Sequence, residues 1–184
     1  LTVKASSSEV DLKAFYELNC KTRKKFGVPP KPYRFFKNLW DILNPKNMVD
    51  ILTVYFESKP ICSILYLKYK KRAHGEYMGT DETYRQFSPN IFLFWKTIQR
   101  LKAENFHSFD FGSTSANNEN LLTFKRRWGT VEEDLKHYYF PEVHGVSADF
   151  ENGTKYKLFT SMCRRMPDGL FRMTGNFLYN HLGG

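Results

Sequence analysis

Apolar positions along this chain follow a helical period, then a period of two, then a helical period again. Leu12, Phe15, Asn19, Thr22 and Phe26 fall on one helical face, and Ser8 with Asp11 three places on has the form of a capping box. The spacing predicts a helix over 9–26, ended by Gly27 and preceded by a short strand over 2–5. Val28-Pro29-Pro30-Lys31-Pro32 is too proline-rich for helix or central strand and reads as a rigid extended connector. A second helix over 33–43 carries Phe36, Leu39, Trp40 and Leu43 on one face.

From Asp50 the period becomes two. Strands are predicted over 51–56 and 61–69, joined by the turn 57–60, and a third over 73–79. Ser88-Pro89 has the form of a helix start, a capping hydroxyl before proline at the first helical position, with Ile91, Phe94, Trp95, Ile98 and Leu101 as the buried stripe. Then come a strand over 107–112, a helix over 118–128 stopped by Gly129, and a strand over 134–140. Residues 141–155 read as irregular, and the tail from 156 as one or two short helices broken at Pro167. With no repeat or interdomain linker, this is one mixed α/β (α+β) domain over 1–184, with a partly antiparallel sheet in the order β-α-α-β-β-β-α-β-α-β and C-terminal helices.

The 184 residues suffice for a real core, which 17 Phe, 11 Tyr and 3 Trp make strongly aromatic. No apolar run reaches the roughly 18 residues of a membrane span, and no secretion-signal pattern is present, so a soluble, cytoplasmic protein is expected. The chain starts at Leu1 without a Met, which leaves an upstream signal or domain open. Cys20, Cys62 and Cys163 match no metal-ligand spacing and read as reduced, buried thiols; no metal is expected. The 28 Lys and Arg against 19 Asp and Glu leave +9, which favours an anionic partner such as RNA, a nucleotide-bearing substrate, coenzyme A or an acidic membrane surface.

The segment carrying the most chemistry is Phe109-Asp110-Phe111-Gly112-Ser113 followed by Phe124-Lys125-Arg126-Arg127-Trp128-Gly129: a strand, a Gly-Ser turn, and a short helix with three consecutive cations. Such a unit can fix positive charge beside a strand end, where an acyl or phosphate group could sit. This segment, the Phe15-Tyr16-x-Leu18 helix with its basic Thr22 to Pro29 end, Pro89-Asn90 opening the helix of Trp95, and Arg165-Met166-Pro167 before a closing helix together resemble the FemAB-like branch of the GNAT acyltransferases. The resemblance implies a GNAT-like fold, N-acyl transfer from acyl-CoA or aminoacyl-tRNA to an amine acceptor, and an upstream GNAT-like domain that would make this chain the second half of a longer protein. The glycine-rich Gln/Arg-x-x-Gly-x-Gly/Ala loop that cradles pyrophosphate in acetyl-CoA-using members is missing. The corresponding segment, Gly79 to Ser88, has no further glycine and holds two acids.

The resemblance points to Lys125 as the stabiliser of charge at the transfer centre, the role of the lysine in the matching Phe-Lys motif of Fem-type enzymes; an exposed helix lysine is the plain alternative. Asp110, between two core-facing phenylalanines, either orients or deprotonates the amine, or caps the turn through Ser113 and Thr114. Arg23, Lys24 and Lys25 either complement the helix dipole or, with Arg126, Arg127 and Ser113, bind phosphate. Lys21 shares that basic turn, His107 and His137 are bases by residue type alone, and Tyr33, Tyr84 and Tyr138 are stacking or core aromatics. The rival classes are a non-catalytic RNA or anionic-ligand binding domain on the same scaffold, and a domain that only packs against a catalytic partner.

Overall fold

A computed structural model describes residues 1–6, 8–136, 138, 140 and 153–181. The elements are β1 (Thr2–Ala5), α1 (Glu9–Phe26), α2 (Tyr33–Leu43), β2 (Val49–Phe56), β3 (Lys59–Tyr69), β4 (Arg72–Thr80), α3 (Pro89–Ala103), β5 (Ser108–Asp110), α4 (Glu119–Arg126), α5 (Thr154–Arg165) and α6 (Asp168–His181). Short 3-10 turns cover Asn44–Lys46 and Glu82–Phe87. The mixed class and the expected order hold through α4. The strand expected over 134–140 is not formed at 134–136, 138 or 140, and the rest of that span lies outside the described residues.

The sheet runs β1-β2-β3-β4-β5, antiparallel except for the parallel β4–β5 edge. Val49 to Val54 are all buried because both sheet faces are covered, which erases the alternation an open sheet would show. On one face Ile51 and Leu65 pack with Leu12 and Phe15 of α1 and with Phe36 and Trp40 of α2. On the other, Leu52, Val54, Ile64 and Tyr66 pack with Leu93 and Leu101 of α3. The two hairpins turn on Glu57-Ser58 and Lys70-Lys71, all four at positive φ, the mirror-image turn geometry that matches strand twist.

Several local signals act as expected. Ser8 and Asp11 form the capping box, and Gly27 closes α1 at φ +70°. Pro167 separates α5 from α6. All three cysteines are free and buried. Burial pushes the Cys20 thiol up to about 11 and the Cys62 thiol up to about 12, so neither is poised as a nucleophile.

Helix α3 departs from its expected orientation. Pro89, Leu93, Thr97 and Leu101 are the buried residues, one unbroken row at four-residue spacing, while Ile91 and Trp95 are about half exposed (52% and 50%). Thr97 tolerates the interior because its hydroxyl donates to the Leu93 carbonyl at 2.8 Å. Ser88 does precede α3, but it sits in the left-handed region (φ 48°, ψ 48°) and its hydroxyl makes no cap bond.

The C-terminal helices brace the far side of α1. Arg172 of α6 forms a bidentate pair with Glu17 at 2.7 and 2.5 Å, Lys24 pairs with Asp168, and Gly175 lies so close to the Pro30 backbone that a side chain would not fit.

Candidate functional site

β4 and β5 pair only over Arg72–His74 and Ser108–Asp110, and beyond that rung they part. On its other side β4 carries a bulge: Leu65 faces Tyr77 and Tyr66 faces Gly75, leaving Glu76 as an extra residue. The wedge between the strands is a cleft of about 320 Å³. Ile64, Met78, Phe94 and Phe111 make its apolar wall, and Glu76, Asn90, Ser113 and Lys125 are its polar lining.

An aromatic cluster fixes the far wall. Phe94 of α3 stacks on Phe111 at 4.8 Å and 17°, and Phe109, Phe124 and Trp128 close around the pair. Phe124 and Trp128, four residues apart, are the inward side of the short α4 segment. That anchoring turns Lys125 toward the strand end, where its ammonium donates to the Gly112 carbonyl at 2.5 Å and the Ser113 carbonyl at 3.4 Å. Among the described residues these two carbonyls are its hydrogen-bond partners, which leaves one of its three N–H groups unengaged there. Burial lowers the Lys125 pKa, against the opposing pull of Asp110.

Asp110 is the hinge of this wall. One oxygen accepts the Gly112 N–H at 2.7 Å and the other faces His74 Nδ1 at 2.9 Å. The turn it caps is made through Gly112 (φ +75°), one residue earlier than the Ser113 and Thr114 contacts expected from sequence. Burial works to raise its pKa, but the His74 and Gly112 hydrogen bonds outweigh it and hold the carboxyl below its ordinary value. His74 Nε2 in turn lies 2.9 Å from Glu76, so Asp110, His74 and Glu76 form a continuous chain into the cleft.

His74 and Glu76 escaped the reading from sequence. Their one local signal is Gly75 between them in a strand, a mark of bulges and close approach. Their link to Asp110 crosses 36 residues and the whole of α3.

The cations expected to bind phosphate do not converge on the cleft. Arg23 donates to the Pro29 carbonyl at 3.3 Å and to the Tyr179 hydroxyl at 3.4 Å, Lys24 pairs with Asp168, and Lys25 with Glu82 at 2.9 Å. Arg126 is held by Glu132 at 2.5 and 3.1 Å, and Arg127 is exposed at the end of α4. Lys21, Lys24, Lys25 and Arg164 line a separate open hollow.

His107 is exposed and its backbone N–H bonds the Lys71 carbonyl, Tyr33 donates to Glu9, Tyr84 packs beside the stacked Phe56–Phe87 pair, and Tyr138 is exposed; His137 lies outside the described residues. Among the described residues no cluster of His, Cys, Asp and Glu could hold a metal ion.

Where β4 ends, its outer edge is closed by α1 instead of by β5. Asn19 donates to the Met78 carbonyl at 3.1 Å, and the Thr22 hydroxyl accepts the Thr80 N–H at 2.8 Å. Lys21 then meets Asp81 at 2.6 Å. Asp81 is 5% exposed; burial works against its charge, but Lys21 and the Thr83 hydroxyl and amide hold the carboxyl at about 2.

Residues 1–126 match the family model of the acetyltransferase (GNAT) domain. No curated protein gives a significant sequence match. Among solved structures, the aminoglycoside 6'-N-acetyltransferase AAC(6')-IG from Acinetobacter haemolyticus is similar at 15% identity and TM-score 0.59, over 78% of this chain and 99% of that one. AAC(6')-Iy, solved in complex with CoA, is similar at 11% identity and TM-score 0.59, over 77% of this chain and 95% of that one. FemX is similar at 15% identity and TM-score 0.62, over 70% of this chain and 50% of FemX. At these identities the likeness carries the fold.

Proposed function

The chain belongs to the GNAT acetyltransferase family, and from that premise we propose that it is an N-acyltransferase that passes an acyl or aminoacyl group to an amine acceptor in the cleft between β4 and β5. The observation that carries this reading is Lys125, held at the Gly112 carbonyl and lining the same cleft as Glu76. Attack of an amine on an acyl carbonyl builds negative charge on the carbonyl oxygen and releases a proton from nitrogen. Lys125 meets the first need, because a cation fixed in a partly dry site stabilises charge that develops only in the transition state. Glu76 meets the second as the carboxylate that lines the cleft. Asp110 works behind both, with its oxygens on Gly112 and His74, so its part is to position rather than to take the proton itself. The leaving group takes the proton as the tetrahedral intermediate collapses.

Acyl-CoA and aminoacyl-tRNA are the two donor classes of this reading, and an upstream GNAT-like domain belongs to it, supported by the half-length coverage of FemX. The residues present at the start of α3 do not fit the amide cradle that a diphosphate needs. Pro89 has no N–H, and the Ile91 and Phe92 amides both bond the Ser88 carbonyl, at 3.1 and 3.3 Å. No helix of the described residues is long and apolar enough to cross a membrane.

The non-catalytic alternative, an RNA or anion binder, draws on the +9 charge. The pairing of Lys24, Lys25 and Arg126 with carboxylates weighs against it. The deciding experiment incubates the protein with acetyl-CoA, or with charged tRNA, and a panel of amines, and follows N-acyl product by mass spectrometry. Turnover with either donor supports transfer. Absence of product, together with RNA binding that collapses between low and physiological salt, replaces it with the binding reading.

A further inference from the structure

The carboxyl ends of sheet strands and the starts of the helices that follow them are where open α/β folds hold ligand phosphates, because unpaired backbone amides gather there. In this chain that place is already filled. The two Asp81 oxygens accept the Thr83 N–H at 3.1 Å, the Thr83 hydroxyl at 2.7 Å and the Lys21 ammonium at 2.6 Å. An amide, a hydroxyl and an ammonium around one anion are the donor set of a phosphate site, and here a side chain of the protein occupies it.

Three further amides of the turn are engaged within the protein. The Asp81 N–H bonds Ile61 across the sheet at 2.8 Å, Tyr84 bonds the Asp81 carbonyl at 3.1 Å, and Ser88 bonds Arg85 at 3.0 Å. Glu82, the next residue along the chain, neutralises Lys25 at 2.9 Å. Between Thr80 and Pro89 there is no glycine to let a diphosphate approach the backbone.

We propose that Asp81 is a built-in anion that takes the contacts of a ligand phosphate at the β4–α3 turn, so that this chain discriminates against donors carrying a diphosphate at that point. Lys21 is the cation it withholds: the lysine stays half exposed, within reach of a ligand, but its charge is already matched. Asp81 is thus a specificity-determining residue that makes no contact with the reacting atoms. Discrimination among donors rests on the acyltransferase reading; the filled phosphate site does not.

The test measures anion binding alone, by calorimetric titration with inorganic pyrophosphate and with coenzyme A at low ionic strength. Asp81→Asn keeps the side-chain shape and removes the charge. It is expected to bind both anions roughly ten-fold more tightly than the wild type, the equivalent of one matched charge, and adding Lys21→Ala is expected to remove the gain. Equal affinity in wild type and a folded Asp81→Asn protein overturns the proposal.

Asp81→Ser keeps the experiment decisive should Asp81→Asn not fold, because it removes the same charge and keeps a hydroxyl to accept the Thr83 N–H. It is expected to show the same gain in pyrophosphate affinity, and wild-type affinity in the folded variant overturns the proposal. Failure of the acyltransferase reading shows separately, as absence of product from every donor, and leaves the pyrophosphate result standing.

Discussion

His74 and Asp110 form the last link between β4 and β5 before the strands part, Nδ1 to Oδ2 at 2.9 Å. The cleft opens immediately beyond this rung, so the pair fixes both where the wedge starts and how the Gly112 turn is held. His74→Ala is expected to lower the transfer rate by about ten-fold or more with little change in KM, because it unties Glu76 and Asp110 together. His74→Asn, which keeps a side-chain N–H for Asp110 but does not extend to Glu76, should recover stability without recovering the rate. Steady-state kinetics and thermal melts on the two variants check this.

Lys125→Met keeps the aliphatic stem and removes the ammonium. Transfer is expected to fall about a hundred-fold, the usual cost of one preorganised donor at a developing oxyanion. The melting temperature should move little, since Phe124 and Trp128, rather than Lys125, anchor the α4 segment. Turnover near the wild-type value would remove Lys125 from the transfer centre.

Asp81 links the turn after β4 to acid stability. Its folded pKa of about 2 lies below its ordinary 3.8, so the folded state binds the proton less readily than the unfolded chain. The stabilisation is fully present above pH 3.8 and is lost as pH falls through about 2. The difference corresponds to about 2 kcal/mol. Urea unfolding of wild type and Asp81→Asn should differ by roughly that amount at pH 7 and converge toward pH 2.

Gly79 sits where α1 crosses β4. A Cβ there would lie 2.3 Å from the Asn19 nitrogen and 2.4 Å from the Leu18 carbonyl carbon, both backbone atoms that cannot turn aside. Gly79→Ala should therefore force α1 off the sheet and cost about 3 kcal/mol, read as a lowered denaturation midpoint. It should also weaken transfer, because the Asn19 and Thr22 bonds that close the end of β4 depend on the same approach.

Period and punctuation made most of the fold legible. The Ser8 and Asp11 box, Gly27, the proline connector and the break at Pro167 are local devices, and local devices bound α1, α2, α5 and α6. The face of α3 was not legible in the same way. Ile91, Phe94, Trp95, Ile98 and Leu101 make an apolar stripe as good as the one used, but the helix rests on the row Pro89, Leu93, Thr97 and Leu101, set by how it lies across β2 and β3.

At the site, local pattern was enough to join Asp110 and Lys125 in one strand-turn-helix unit, because a single turn links their elements and Phe109, Phe111, Phe124 and Trp128 hold them together. Packing alone brings His74 and Glu76 beside them, pairs Arg23, Lys24 and Lys25 with other groups, and sets Asp81 against Lys21 in the turn before α3. The reason is physical: helix and turn formation depend on neighbours in the chain, whereas the partner of a charge depends on which strand edge and which helix face the packed core brings beside it.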